Sequence, residues 1–499
     1  MTTSKSTTKF PAPVYRDTAL APVFADAKRY FLEPLLEIEY AHTLMLARQS
    51  IMPEGDAAQC LRALDALDRA EIERAEYDGT FEDLFFYVEK KLAAACGEEI
   101  AGKMHTARSR NDIDLTMYRM VLRGRLLQIY AALLELRKTL VELAWEHRAA
   151  LIPAYTHNQP AQPTTLGHYL TAYIEVLERD VERVQQAYAR VNRNPLGACA
   201  ITTTGFPIDR SYTEKLLGFD GLQVNSYGAI AAVDYVAESC GALATAMLGL
   251  GRFAQDLLLW STAEFGYLRL SDAYVQISSI MPQKRNPVPL EHVRVLASRA
   301  LFEAQSVLGG LHNTPFADMN DAEDDLQPLV YTAFDDGERS LRLLAGALSE
   351  AEFNTARMAV AADGNFLPVT ELADTLVRAT GMSFHASHKI VSKAVRELSA
   401  GYDAAVMAEI VMRELSAVDN GTTVSREQIR EALSAKNFVA VRKIPGGPAT
   451  EALEPEILRA KRQLVADEQW LDETKKKLST ANDTVRQECG SLLRRVNGH

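Results

Sequence analysis

Nine apolar residues constrain this chain more than any other feature. Leu115, Tyr118, Leu122, Leu126, Ile129, Leu133, Leu136, Leu140 and Leu143 recur at steps of three or four, averaging 3.5. That is the period of a seam along one helix. The charged residues Arg119, Arg123, Arg125, Glu135 and Lys138 fall off the seam. A helix from Asp112 to Trp145 would be roughly 50 Å long at ~1.5 Å per residue. One compact core does not require a rod of that length. The seam therefore predicts an all-α fold whose central helices also pack against other subunits.

Further helices follow. Thr164-Thr165 can cap one that runs through Tyr169, Tyr173, Val176, Leu177 and Val181 to about Val191. Asn194-Pro195-Leu196-Gly197 stops it. A third is expected from about Ala229 to Trp260. A fourth is expected from about Pro289 to about Leu311, its buried side marked by Val293, Leu296, Ala300 and Ala304. No segment is strand-rich, and Val439-Ala440-Val441 is at most a short ribbon. Asp467 to Lys477 is heavily charged and reads as an exposed helix. Three divisions are expected: an N-terminal helical domain (1–110), a central long-helix bundle (111–360) and a C-terminal helical domain (361–499).

Composition excludes several classes. The net charge of −12, with no basic run to offset it, argues against nucleic acid or an anionic membrane as partner. Cys60, Cys96, Cys199, Cys240 and Cys489 are odd in number and lie at no metal-ligand spacing. A reduced, cytoplasmic protein is expected, and the cysteine spacing offers no metal site. Met1 to Lys9 lacks the apolar core of a secretory signal and reads as a disordered tail. Gly241 to Trp260 is apolar but contains Arg252 and Asp256, so it reads as a buried helix, not a membrane span. Gly249-Leu250-Gly251 within it follows no strand and is not a dinucleotide loop.

The densest chemistry lies in Ser278-Ser279-Ile280-Met281-Pro282-Gln283-Lys284-Arg285-Asn286-Pro287. Proline after Met281 favours a turning backbone. The loop presents two hydroxyls, a cation and an amide together. Those groups suit removal of a proton next to a carboxylate: an oxygen base, and donors for the charge that develops. Ser109, Arg110 and Asn111 form a second cluster, in which a guanidinium and two donors can hold a carboxylate. Thr156 and His157 form a third, in a polar loop bounded by prolines. Histidine is the side-chain type suited to proton transfer near neutral pH.

The loop resembles the signature of the fumarase/aspartase superfamily, and its Pro-Gln-Lys form resembles the argininosuccinate lyase branch. Gly102 to Asp112 is similar to that branch's first conserved region, and Tyr155 to His168 is similar to its second. Asn194-Pro195-Leu196-Gly197, Phe206-Pro207-Ile208-Asp209-Arg210, Asn225-Ser226, Val369 to Asp374 and Gly446-Gly447-Pro448 add smaller matches. The likeness runs from about residue 35 to about 455.

The resemblance implies a homotetramer with a 20-helix core, each active site gathering its motifs from three subunits. It implies Ser278 as the base and Lys284 and Asn286 facing an aci-carboxylate intermediate, with no cofactor. His157 would manage the leaving-group proton, as the acid itself or by orienting one. Ser109, Arg110 and Asn111 would grip the half of the substrate that becomes fumarate. Thr156, Gln162, Ser279 and Met281 would complete the binding residues.

The departures from the branch fall where a leaving group would sit. Ile113 replaces Gln, Phe85 replaces His after Glu82-Asp83, Gly228 replaces Asp and Ile277 replaces Gly. Asp318, Glu323 and Leu326 align with Tyr, Gln and Lys. The branch's Ser/Asp pattern is missing from Ala21–Tyr30. The expectation is a C–N lyase that releases fumarate from an N-substituted aspartate through a more acidic leaving-group pocket, with the ethylenediamine-disuccinate-type lyases as one pattern. Asp321 to Asp325 could instead be a solvated acidic loop. Authentic argininosuccinate cleavage is the alternative. A fumarase-like hydratase or cycloisomerase would keep Ser278 and Lys284, but Gln283 and Phe206–Arg210 argue for C–N cleavage. A non-catalytic structural relative or a helical binding module would form no fumarate.

Overall fold

The computed structural model describes residues 10–398, 401–418 and 424–498. The expectation for Met1–Lys9 lies outside the described residues. Five long helices make the centre: α1 (Arg110–Glu146), α2 (Leu166–Val191), α3 (Asp234–Trp260), α4 (Val288–Leu311) and α5 (Gln327–Ser349). All nine seam residues of α1 are buried. At ~1.5 Å per residue, its 37 residues span roughly 55 Å. Ser109 begins it, with its backbone N–H bonded to Asp112 Oδ1 at 2.9 Å. The cap on α2 is as expected: Thr165 Oγ1 accepts the His168 N–H at 3.1 Å.

Side-chain pairs fix the directions of the helices. Arg119 near the start of α1 reaches the carbonyl of Arg190 at the end of α2, at 3.0 Å. Tyr169 at the start of α2 bonds Asp256 near the end of α3, at 2.6 Å. Arg294 of α4 bonds Gln255 of α3 at 2.7 Å. Tyr118 of α1 bonds Asp324, just before α5, at 2.7 Å. α1, α3 and α5 therefore run in one direction, and α2 and α4 run antiparallel to them. One end of the bundle collects residue 110, residue 191, residue 234 and residues 311–327. The other collects residue 146, residue 166, residues 260–288 and residue 349.

Four local expectations are corrected. The third helix is interrupted: Ser226–Ala231 ends before α3 starts at Asp234, because Ala232 is extended at ψ 126°. Val439 and Ala440 end a helix, Ala435–Ala440, and form no ribbon. The segment after α1 is a two-stranded antiparallel hairpin, β1 (Leu151–Thr156) with β2 (Gln159–Thr165). Pro153, Pro160 and Pro163 are tolerated because each strand has a free edge. Asp467 lies in the final helix, α6 (Thr450–Asn497), but is buried against the bundle.

Arg119 and Arg123 lie off the seam and are nonetheless buried. Arg119 rests 3.9 Å from the Tyr235 ring centroid, and Arg123 donates to Asn192 Oδ1 at 3.0 Å. Carbonyl, amide and aromatic partners replace water there. The apolar α3 packs within the bundle, with Cys240, Leu243, Met247, Leu250, Phe253 and Leu257 buried. A separate core, including Leu372, Leu376, Val391, Met407 and Ile429, lies between residues 372 and 433.

Candidate active site

The first motif occupies the turn into α1 and lines a cavity of about 470 Å³. Asp112 organises it. Its Oδ1 accepts the Ser109 N–H, and its Oδ2 accepts the N–H groups of Gly197 at 2.7 Å and Cys199 at 2.9 Å. Burial pushes this carboxyl up to about 6, against the pull of those three donors. The turn must carry glycine at 197, where φ is +89° and a Cβ would meet Arg210 Cγ at 2.6 Å. Asn111 thereby faces the 197–200 loop and donates to the Ala200 carbonyl at 3.2 Å and to Asp318. Ser109 Oγ donates to Asn111 Oδ1 at 2.9 Å.

Arg110 is engaged within its own chain. Its guanidinium meets Asp83 at 2.7 Å and Glu82 at 3.1 Å. Asp83 caps the helix Leu84–Cys96, which fixes that carboxylate in place. Asp318, Glu323, Asp324 and Asp325 join these groups around the cavity from the segment before α5. Burial, then a hydrogen bond with Asp318 and the charges of Asp318 and Asp324, push the Glu323 carboxyl up to about 8. Asp321 is exposed and Leu326 packs on the main core, so neither lines the cavity.

Asp114 was not singled out by sequence reasoning. It also lines this cavity, one helical turn beyond Asn111 and Arg110 on the same face. Its signal was its spacing from Arg110, four residues earlier on a predicted helix. Phe85, at the position of the branch's His, is buried against His105 at 5.4 Å between ring centroids.

The second motif lies at the far end of α1. Thr156 ends β1, and His157 and Asn158 form the hairpin turn with φ of 49° and 60°. Two successive residues with positive φ match the tight turns that suit strand twist. His157 and Thr156 are exposed, and Gln162 donates to Thr370 Oγ1 at 3.2 Å.

The third motif connects α3 to α4 at that same far end. Gln276–Ile277 pairs with Arg285–Asn286, making a small hairpin whose tip is Ser278 to Lys284. Arg285 anchors it to the Leu270 carbonyl at 2.8 Å, and Asn286 Nδ2 donates to the Gln276 carbonyl at 3.1 Å. The tip folds onto its serine: Ser278 Oγ accepts the N–H of Met281 at 3.0 Å and of Ile280 at 3.4 Å. Those donors would also stabilise negative charge on that oxygen. Ser279 and Lys284 are exposed, as is Met281. Among the described residues the Lys284 ammonium has no ion-pair or hydrogen-bond partner.

The structure thus brings Ser109, Arg110, Asn111, Asp318 and Glu323 together at one end of the bundle. It places Thr156, His157, Gln162, Ser278, Ser279, Met281, Lys284 and Asn286 at the other. Roughly 55 Å of α1 separates the two groups. One chain alone does not unite them.

A family model described as Lyase matches residues 46–301, and one described as Argininosuccinate lyase C-terminal matches residues 366–440. The chain is 43% identical to Argininosuccinate lyase 2 of Agrobacterium fabrum, over 90% of each chain. It is 39% identical to Argininosuccinate lyase of Methanoculleus marisnigri, over 91% of this chain and 92% of that one. Among solved structures, a variant of EDDS lyase with bound fumarate matches with a TM-score of 0.86 at 32% identity, over 97% of this chain and 98% of that one. EDDS lyase in complex with formate matches with a TM-score of 0.85 at 31% identity, over 96% and 97%. With three motifs in order, an all-α bundle and relatives of this identity across nearly its whole length, the chain belongs to the argininosuccinate lyase family and is a carbon–nitrogen lyase.

Proposed function

We propose that this enzyme releases fumarate from an N-substituted L-aspartate whose leaving amine is cationic. The observation that carries the reading is the cavity beside Arg110. Seven of its lining side chains are carboxylic, and Arg110 is the one basic side chain among them. Such a lining favours a cation and opposes an anion.

The proposed site combines the two ends of the bundle from different subunits of a homotetramer, with three subunits contributing to each site. Ser109 and Asn111 hold the succinyl carboxylates at the start of α1, where the helix N-terminus favours negative charge. Arg110 stands between that half and the Glu82–Asp83 pair. Ser278 Oγ takes the proton from Cβ, its charge stabilised by the loop amides. The carboxylate beside Cβ accepts the electrons as an aci-carboxylate facing Lys284 and Asn286. Collapse of that intermediate forms the Cα=Cβ bond. The Cα–N bond breaks with its electron pair on nitrogen, which gains a proton managed through His157. Thr156, Gln162, Ser279 and Met281 line the substrate. Asp318 and Glu323 face the amine.

Fumarate absorbance with purified protein tests this reading, using argininosuccinate and a panel of N-substituted aspartates, with Ser278→Ala as control. Fumarate that requires Ser278 supports it, and no fumarate from any compound overturns it. Authentic argininosuccinate cleavage is the second reading. It is favoured by the names of the curated relatives and by the cationic guanidinium of arginine. Fumarate from argininosuccinate at a rate matching the best of the panel would select it.

A further inference from the structure

We infer that the cavity beside Arg110 selects a leaving amine bearing a second cationic group on a short aliphatic chain and no carboxylate, the chemistry of an alkyl diamine. The inference rests on the N-substituted aspartate lyase reading and narrows its substrate class.

The cavity has two unlike walls. One is acidic, built from Glu82–Asp83, Asp114 and the 318–325 segment. The other is apolar, built by Ala19, Leu20, Val23 and Phe24 of the N-terminal helical segment with Leu35 and Met117. An apolar wall is solvated poorly and favours aliphatic surface. The acidic wall favours positive charge over negative. A methylene chain ending in an ammonium meets both demands.

Asp114 sets where that charge sits. It lies three residues beyond Asn111 and four beyond Arg110, so all three share one face of α1. Its carboxylate is about 5 Å further along the helix than Asn111. Among the described residues it has no hydrogen-bond or ion-pair partner. Desolvation and the neighbouring charges of Asp324, Asp83 and Glu323 raise its pKa well above the ordinary value. An unpaired, desolvated carboxylate is unfavourable until a cation reaches it. The nearest basic group, Arg110, is already held by Asp83 and Glu82. The succinyl half belongs at the helix N-terminus, and a cation one turn deeper completes the sequence of charges along α1.

A carboxylate on the amine would find no free basic partner in this lining. It would instead face the carboxylates of Asp318, Glu323 and Asp324. A metal ion is a poorer occupant than an ammonium, because among the described residues no three His, Cys, Asp or Glu side chains are grouped to hold one.

The test uses the full-length protein and three substrates that share the aspartate half: N-(4-aminobutyl)-L-aspartate, N-butyl-L-aspartate, and the corresponding adduct of the ornithine side-chain amine. The first pair isolates the distal cation, and the first and third isolate the carboxylate. Fumarate release should give a kcat/KM for the aminobutyl compound at least about tenfold above each of the others. Asp114→Asn should collapse the aminobutyl-to-butyl ratio towards one. Val23→Lys, which places a cation on the apolar wall, should shift the preference towards the ornithine adduct and supplies an independent variant if Asp114→Asn folds poorly. Equal kcat/KM for the butyl and aminobutyl compounds, or for the ornithine adduct, overturns the inference and leaves the lyase reading intact. No fumarate from these or from argininosuccinate overturns the lyase reading itself, and the inference with it.

Discussion

Asp112 Oδ2 accepts the backbone N–H of Gly197 at 2.7 Å across 85 residues of sequence. That bond ties the start of α1 to the loop that Asn111 also touches. Asp112→Ala would leave the N–H groups of Gly197, Cys199 and Ser109 without their acceptor. The expected loss is about 2–4 kcal/mol of stability, read as a lower Tm. The native carboxyl titrates near 6, above its ordinary 3.8, so the folded protein holds a proton that the unfolded chain releases. This group's contribution therefore falls as pH rises from about 4 to about 6, and the variant should lack that part of the pH dependence.

Ser278→Ala should act on chemistry and spare the fold. The side chain is half-buried at a hairpin tip, and its hydrogen bonds are to the loop's own amides. We expect kcat to fall by about 10²–10⁴ with Tm unchanged. A variant that melts early would show that the serine holds the loop instead.

The separation of the motifs by the length of α1 makes a mixing experiment decisive. Asn111→Ala and Ser278→Ala damage opposite ends of the bundle. Under the proposed sharing between subunits, a site in an equal mixture reassembled from both needs an intact Asn111 from one subunit and an intact Ser278 from another. About a quarter of sites should then recover activity, as expected for random symmetric assembly. Two inactive variants that stay inactive after verified subunit exchange would place the site within one chain.

Glu323 predicts the pH dependence of substrate binding. Its carboxyl is pushed up to about 8, so below that pH the protonated form prevails. A cationic amine binds the ionised form better. KM for a cationic substrate should therefore fall as pH rises from 7 to 9, by up to about tenfold, and level off above. Glu323→Gln should flatten the profile, and N-butyl-L-aspartate should show little of it.

Arg137 on α1 and Asp467 on α6 are joined at 2.5 Å, with the Arg137 side chain fully buried. Asp467→Ala leaves that guanidinium with Glu178 at 3.4 Å as its remaining ion-pair partner. The expected destabilisation is about 3–5 kcal/mol, measured by denaturant unfolding.

Periodicity made the rods legible. The α1 seam and the α4 stripe are buried where spacing predicted, and the Thr165 cap was a local signal. What failed depended on distant partners. Asp467 looks exposed in a charged run because Arg137, 330 residues earlier, is invisible from there. The prolines that mark β1 and β2 as loop in sequence are compatible with a ribbon that has free edges. Phe85, Glu323 and Asp318 stood out by departing from a pattern. Asp114 departed from none, and only the fold shows it sharing a cavity with Val23 and Asp324.

The length of α1 also bears on how such an enzyme changes over generations. The residues proposed to take the proton and those proposed to face the amine are packed against different neighbours, at opposite ends of a bundle. A substitution near Glu323 must be accommodated by the surroundings of Asp83 and Tyr118, while the loop around Ser278 is undisturbed in the same subunit. On that proposal the fold lets the accepted amine drift independently while the elimination machinery is inherited intact.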